Sequence, residues 1–206
     1  FTADYINYLS KYSNNILSFA KPDALPINFT QKEFGQYYFN FVGEPLTLNT
    51  KKQSISFAKK IKPYFEKEGL DEKANLKYHF NPHTFQGILK AADVSLITKN
   101  GAINAIQVID FSLGEQTIVN HLYETKIIHE ALHKFVKNVN GEVNKIKIAF
   151  EEPEKKTKQH ELFDLSYKNY KDTFEFITPD ALEIETEKIA NSNNIKFSDY
   201  LQTLEI

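Results

Sequence analysis

The stretch ADVSLITKNGAINAIQVID, residues 92–110, gives the clearest indication of the fold. Its two apolar-rich runs meet at Asn100-Gly101, a dipeptide that accepts the positive φ angles of a tight hairpin turn. We therefore predict a β-hairpin here. Residues 112–141 follow, with no proline and with a glycine, Gly141, where helices commonly end. This pattern predicts a long helix directly after the hairpin.

Further elements are predicted towards the C-terminus. The alternating apolar residues of 143–150 indicate a short strand, and the charged stretch 151–158 indicates a loop. Residues 159–174 return to helical spacing. Thr178-Pro179 is typical of a helix start, and a last short amphipathic segment begins at Phe197.

The N-terminal third is less regular. Residues 2–19 carry an apolar stripe at helical spacing, and 51–69 read as an amphipathic helix with Ile55, Ala58, Ile61 and Phe65 facing inward. The aromatic stretch 33–48 fits either a strand or an aromatic-rich loop. Because no repeat, linker or low-complexity tract interrupts the chain, we predict one domain over residues 1–206.

Composition limits the chemistry. The chain has 206 residues, a net charge of -2 and no cysteine, so a metal would have to be held by nitrogen and oxygen ligands. All 25 basic residues are lysine, which disfavours a nucleic-acid partner because the bidentate guanidinium group is missing. No apolar run has the length of a membrane span, so we expect a soluble chain. Since it does not begin with Met, we expect a processed product or an excised domain.

The motif KIIHEALHKFV, residues 126–136, lies within the predicted long helix. Residues four apart share one face of a helix, so His129 and His133 can aim their imidazoles at one zinc ion. Glu130, next to the first ligand, can take a proton from a water that the zinc activates. Ile127 and Ile128 predict a buried approach to the motif. Three fixed residues are a short pattern, and the alternative is a packing helix with two incidental histidines.

The residues IIHEALHKFV, following the β segment INAIQVID, resemble the active-site region of the zincin superfamily of HExxH zinc metallopeptidases. The resemblance implies an α+β fold in which a long motif helix packs on a small mixed or antiparallel sheet, with additional N- and C-terminal helices. It also implies zinc-dependent hydrolysis of a peptide or protein substrate, an edge strand at 102–110 that lines the cleft, and a secreted or extracellular location. His129 and His133 would be the zinc ligands and Glu130 the general base.

The chain departs from the family patterns after His133. It lacks both a histidine six residues further on and a second, glutamate-bearing motif. A catalytic zinc generally has three protein ligands, so we predict His160 as the third, with Glu161 and Asp164 as alternatives. Asp164 would otherwise accept the second N–H of His160. Tyr167 or Tyr170 is a candidate donor to the oxyanion of the intermediate.

Two other interpretations remain open. A zincin-shaped binding module would use zinc only as a structural ion, with four protein ligands and no open position. The hairpin and the following helix also resemble the core of restriction-nuclease-like folds, with Asp93 as a metal carboxylate. That chemistry requires an acidic residue and a lysine where this chain has Gln107 and Ile109, so such a fold is expected to be inactive. The histidine pair His79 and His83 flanks Pro82, which disfavours a helical metal clamp there.

Overall fold

The computed structural model of the protein describes Asp4, Tyr8, Lys11 and the ranges 30–43, 56–82 and 84–204. The chain divides into two units, Phe1–Gln53 and Ser54–Ile206. Most of the helix predicted over 2–19 lies outside the described residues, as do Ile55 and His83.

The described part of the aromatic stretch, up to Gly43, is a helix, α1 (Gln31–Val42), and neither a strand nor a loop, while residues 44–48 lie outside the described ranges. Thr30 and Glu33 form a capping box, in which each side chain accepts a hydrogen bond from the other residue's backbone N–H. Gly43, with φ of 79°, ends the helix in the left-handed conformation. These end signals outweigh the β propensity of the aromatic residues between them.

The second unit is a mixed α+β fold whose described residues form six strands and six helices. In chain order they are α2 (Phe57–Phe65), α3 (Leu70–Lys73), β1 (Asn75–Phe80), β2 (Ala92–Asn100), β3 (Ala102–Val108), α4 (Glu115–Asn138), β4 (Lys147–Ala149), α5 (Lys158–Tyr170), β5 (Glu175–Ile177), α6 (Pro179–Ala190), β6 (Ile195–Lys196) and α7 (Phe197–Thr203). The predicted hairpin, the long helix α4 and the helix start at Thr178-Pro179 are confirmed. In α2, Ile61 is buried as predicted, but Ala58 is exposed and Phe57 faces the core instead.

The sheet has the order β1-β2-β3-β4-β5, with β6 paired to β2. Strands β1, β2 and β3 are antiparallel neighbours, whereas β3, β4 and β5 run parallel, with α4 and α5 as the crossover helices. The prediction of an edge strand at 102–110 is wrong, because β3 pairs on both sides. The crossover through α4 returns the chain parallel to β3 and covers its free edge with β4.

Two hydrophobic clusters lie on opposite faces of the sheet, since neighbouring strand residues belong to different clusters. Ile148 packs in the cluster with α4, α5 and α7, while Ala149 packs in the cluster with α2, α3 and α6. Helix α4 packs against the sheet through one stripe of buried residues, most of them three or four positions apart. The stripe consists of Ile118, Leu122, Thr125, Ile128, Ala131, Leu132 and Val136. The face of α4 that carries the histidines therefore lies beside this stripe.

The approach to the motif is buried at only one of its two isoleucines. Ile128 is 1% exposed and Ile127 is 41% exposed. We expect Ile128→Ala to lower the free energy of unfolding by about 3 kcal/mol, because it removes methyl and methylene groups from a packed core. Ile127→Ala should change it by less than about 0.5 kcal/mol. Urea denaturation followed by circular dichroism tests both, and equal effects of the two changes would contradict the placement of α4.

Candidate metal centre

His129 and His133 lie one turn apart on α4, and their imidazoles converge. The two Nε2 atoms are 3.0 Å apart, and the ring centroids are 4.3 Å apart. Only one proton can lie between two such nitrogens, so at least one of them presents a lone pair to the other. His133 is exposed, whereas His129 is half-buried against the ring of Phe174, at 5.7 Å between centroids.

The surroundings keep His129 neutral. Burial lowers the pKa of His129 most, and the charge of a protonated His133 lowers it further. Glu130 raises the pKa and Lys145 lowers it, both by smaller amounts. A neutral imidazole has the free lone pair that a metal ligand needs. His129 is therefore suited to metal binding at neutral pH.

Glu130 lies beside the pair, with its carboxylate exposed to solvent. The nearest cation is Lys126, one turn earlier on α4, and its Nζ is 3.9 Å from Glu130 Oε1. An exposed pair at this distance holds the carboxylate only weakly. Glu130 is thus free to rotate towards a group bound at the histidines.

His160 is held by two carboxylates away from the pair. Its Nε2 is 3.3 Å from Glu152 Oε1, and its Nδ1 is 3.2 Å from Asp164 Oδ2. The contact with Asp164 is the one the sequence suggested, but the other ring nitrogen faces Glu152 where a metal was expected. In the part of the chain that the structure describes, no three His, Asp or Glu side chains gather as a metal site. The structure therefore does not bring His160, Glu161 or Asp164 to His129 and His133.

The two candidate tyrosines take different places. Tyr167 packs against Phe176, at 5.2 Å between ring centroids, and is 46% exposed. Tyr170 stacks on Phe174 at 5.5 Å, and Phe174 in turn contacts His129. Tyr170 is thus the tyrosine connected to the histidine pair, while Tyr167 is not linked to it by any described contact.

The Nε2 atoms of His129 and His133 are suited to fill two of the coordination positions of a zinc ion. Two nitrogens at the usual Zn–N distance of about 2.0–2.1 Å in a tetrahedral site are about 3.3 Å apart. The observed Nε2–Nε2 distance is 3.0 Å, and a small rotation of the exposed His133 ring covers the difference. Imidazole nitrogens are also a ligand type that zinc prefers. His129 and His133 would hold the metal, and its remaining positions would be left to solvent or substrate.

A second cluster of polar side chains lies where β2 and β3 separate. Their backbone pairing ends at Leu96 and Ile106. Beyond that point side chains replace the ladder: Ser95 N–H donates to Gln107 Oε1 at 3.0 Å, and Val108 N–H donates to Ser95 Oγ at 3.0 Å. A cavity of about 230 Å³ opens at this position.

Asp93 and Lys77 line this cavity together with Ser95 and Gln107. Asp93 Oδ1 lies 2.7 Å from His79 Nδ1. Lys77 adopts φ of 53° within β1, a left-handed conformation that is strained for a lysine in a strand. Sequence reasoning identified Asp93 but missed Lys77, because the pairing of β1 with β2 brings the two together across the sheet.

Comparison with family models, with curated proteins and with solved structures gave no match. None of the helices in the described ranges combines the length and the apolar character that crossing a membrane requires.

Proposed function

We propose that this protein is a zinc-dependent hydrolase of peptide bonds, in which His129 and His133 hold the metal and Glu130 is the general base. The observation that carries the proposal is the 3.0 Å approach of the two Nε2 atoms on one face of α4. The approach places both nitrogens within reach of one metal ion, as the spacing of four residues on a helix allows.

Each residue of the motif has a separate part in the reaction. When bound, zinc supplies Lewis-acid chemistry that polarises a substrate carbonyl and acidifies water. The exposed carboxylate of Glu130 accepts the proton of the attacking water and passes it to the departing amine. Tyr170, whose ring stacks on Phe174 beside His129, is the candidate for a hydrogen bond to the oxyanion.

The two converging ligands are closer to the three of a catalytic zinc site than to the four of a structural one. A structural zinc has four protein ligands, whereas the described residues bring only two imidazoles together. A metal held in this way keeps positions for water and substrate. Because β3 is an interior strand, we propose that the substrate lies along α4 and the ring of Phe174 and does not pair with β3.

A digest of a peptide library tests the proposal. We expect cleavage products by mass spectrometry from the zinc-loaded protein, loss of cleavage after chelation, and recovery when zinc is added back. Magnesium should not restore cleavage, since it prefers oxygen ligands. Cleavage that persists in chelator, or no cleavage by a protein with one bound zinc, would contradict the proposal.

A second candidate function is supported by the opening between β2 and β3. The hairpin of β2 and β3 and the helix α4 after it are the elements in which the chain resembles the core of restriction-nuclease-like folds. Lys77 lies in the cavity with Asp93 and could take the part of the lysine that is missing at Ile109, while Gln107 still occupies the place of the acidic residue. The substrate would be a phosphodiester, bound through lysines only. Magnesium-dependent nicking of plasmid DNA that is lost in Asp93→Asn but kept in exposed Asp172→Asn would support this function, and absence of nicking would eliminate it.

A further inference from the structure

A polar cavity of about 340 Å³ lies between the tip of the β2–β3 hairpin, the start of β4 and the C-terminal half of α6. Its volume falls within the range of small-molecule sites. Both the histidine pair and the opening at Asp93 lie outside its lining. Nothing in the proposed hydrolysis uses this cavity.

The cavity carries excess positive charge. Lys145, Lys147 and Lys188 line it, and Glu185 is the carboxylate among the lining residues. Glu185 shares its oxygens between two of these lysines, at 2.6 Å from Lys147 Nζ and 3.2 Å from Lys188 Nζ. Burial raises the pKa of Glu185, but the hydrogen bonds and charges of the two lysines together outweigh burial and lower it. Glu185 is therefore ionised, and three cations face one anion.

Donors remain on all three ammonium groups. Each ammonium has three N–H bonds, and the contacts with Glu185 occupy one on Lys147 and one on Lys188. Among the described residues no carboxylate forms an ion pair with Lys145. The side chains of Lys147 and Glu185 are only 23% and 24% exposed, so the charges act in a partly water-excluded space. Such an arrangement favours an anionic ligand.

The rest of the lining combines oriented amides with an apolar wall. Asn144 Nδ2 donates to Asn104 Oδ1 at 2.7 Å, and Asn104 Nδ2 donates to the backbone oxygen of Ala102 at 3.0 Å. These bonds fix the orientation of both amides. Ile106 and Ile189 supply the wall. An amide that offers a donor and an acceptor beside an apolar surface suits the edge and face of a heterocyclic base.

We propose that this cavity binds a nucleoside phosphate. The phosphate groups contact Lys145 and Lys188, while the base lies against Ile106 and Ile189 with its edge towards the asparagine amides. Glu185 holds Lys147 in place and limits the net charge. No residue of the histidine motif lines the cavity, but Lys145 also lowers the pKa of His129, so Lys188→Gln is the variant that tests the cavity alone.

Calorimetric titration of ADP into the full chain, in a buffer with chelator and low salt, tests this proposal. We expect saturable binding that weakens at least about tenfold in Lys145→Gln and in Lys188→Gln, and that weakens steadily with added salt. Lys168→Gln, at an exposed position of α5, is the matched control and should bind as the unmodified chain does. All three lysines are exposed, so these variants should fold.

Two partial ligands identify what the cavity recognises. Adenosine and pyrophosphate should each bind at least about tenfold more weakly than ADP, since each lacks one half of the contacts. Equal binding of pyrophosphate and ADP would show a simple anion site and overturn the proposal. No heat of binding up to about 1 mM ADP, or identical affinity in Lys188→Gln, would overturn it as well.

Discussion

Replacing Glu130 with glutamine is expected to lower kcat for peptide hydrolysis about 10³-fold, within the 10²–10⁴-fold range of a lost general base. Glutamine keeps the shape of glutamate but cannot accept the proton of the attacking water. Because Glu130 is exposed and paired only with Lys126 at 3.9 Å, its loss should not disturb α4. Zinc affinity and the free energy of unfolding should therefore stay unchanged. Initial rates on one cleaved peptide and a zinc titration measure both effects.

Glu124→Gln provides the control for this experiment. Glu124 lies on the same helix and makes an ion pair at a similar distance, 3.8 Å from Lys90, with its side chain 34% exposed. Its replacement should leave turnover within about twofold, as expected for a surface pair. If Glu130→Gln kept near-normal turnover, the base assignment would be wrong. A parallel fall in zinc affinity would instead identify Glu130 as a ligand and contradict its proposed part.

The second large effect is expected on metal binding. His133→Ala removes one of the two converging nitrogens, and we expect zinc affinity to fall on the order of 10³-fold, more than the 10–100-fold cost of losing an outer-shell partner. His133 is exposed, so the change should leave the fold intact. Competition with a chromogenic chelator measures the affinity. The same change should abolish zinc-dependent cleavage.

His160→Ala distinguishes the ligand set expected from sequence from the one supported by the structure. The imidazole of His160 lies between Glu152 and Asp164, so its removal should change zinc affinity by less than about threefold. A loss as large as that of His133→Ala would show that His160 reaches the metal after all. An unchanged affinity in both variants would remove the histidine pair from consideration as a metal site.

Local signals predicted much of the second unit. The Asn100-Gly101 turn and the proline-free run before Gly141 correctly gave the hairpin and α4, because both depend on neighbouring residues. For the residues that form α1, both predicted alternatives, a strand or an aromatic-rich loop, are wrong, although Thr30 and Gly43 mark the two ends of a helix. Its aromatic residues favour strands, and this preference obscured the capping box. Ile127 was expected to be buried, but adjacent residues on a helix point 100° apart and only Ile128 faces the core.

Only the part of the site that lies on one helix was predictable from the sequence. The spacing of His129 and His133 brings their rings together without help from the rest of the fold. The position of a third ligand depends on how distant elements pack. Here Nε2 of His160 contacts Glu152, which lies in the loop before α5. The position of β3 likewise depends on where the chain returns after α4. Lys77 enters its cavity through strand pairing, which no local pattern indicates.

The most direct test is an anomalous difference map at the zinc edge from crystals of the zinc-loaded protein. We predict one peak about 2.0–2.1 Å from Nε2 of both His129 and His133. A peak at His160 with Glu152 and Asp164, or no peak between the two α4 imidazoles, would contradict the account.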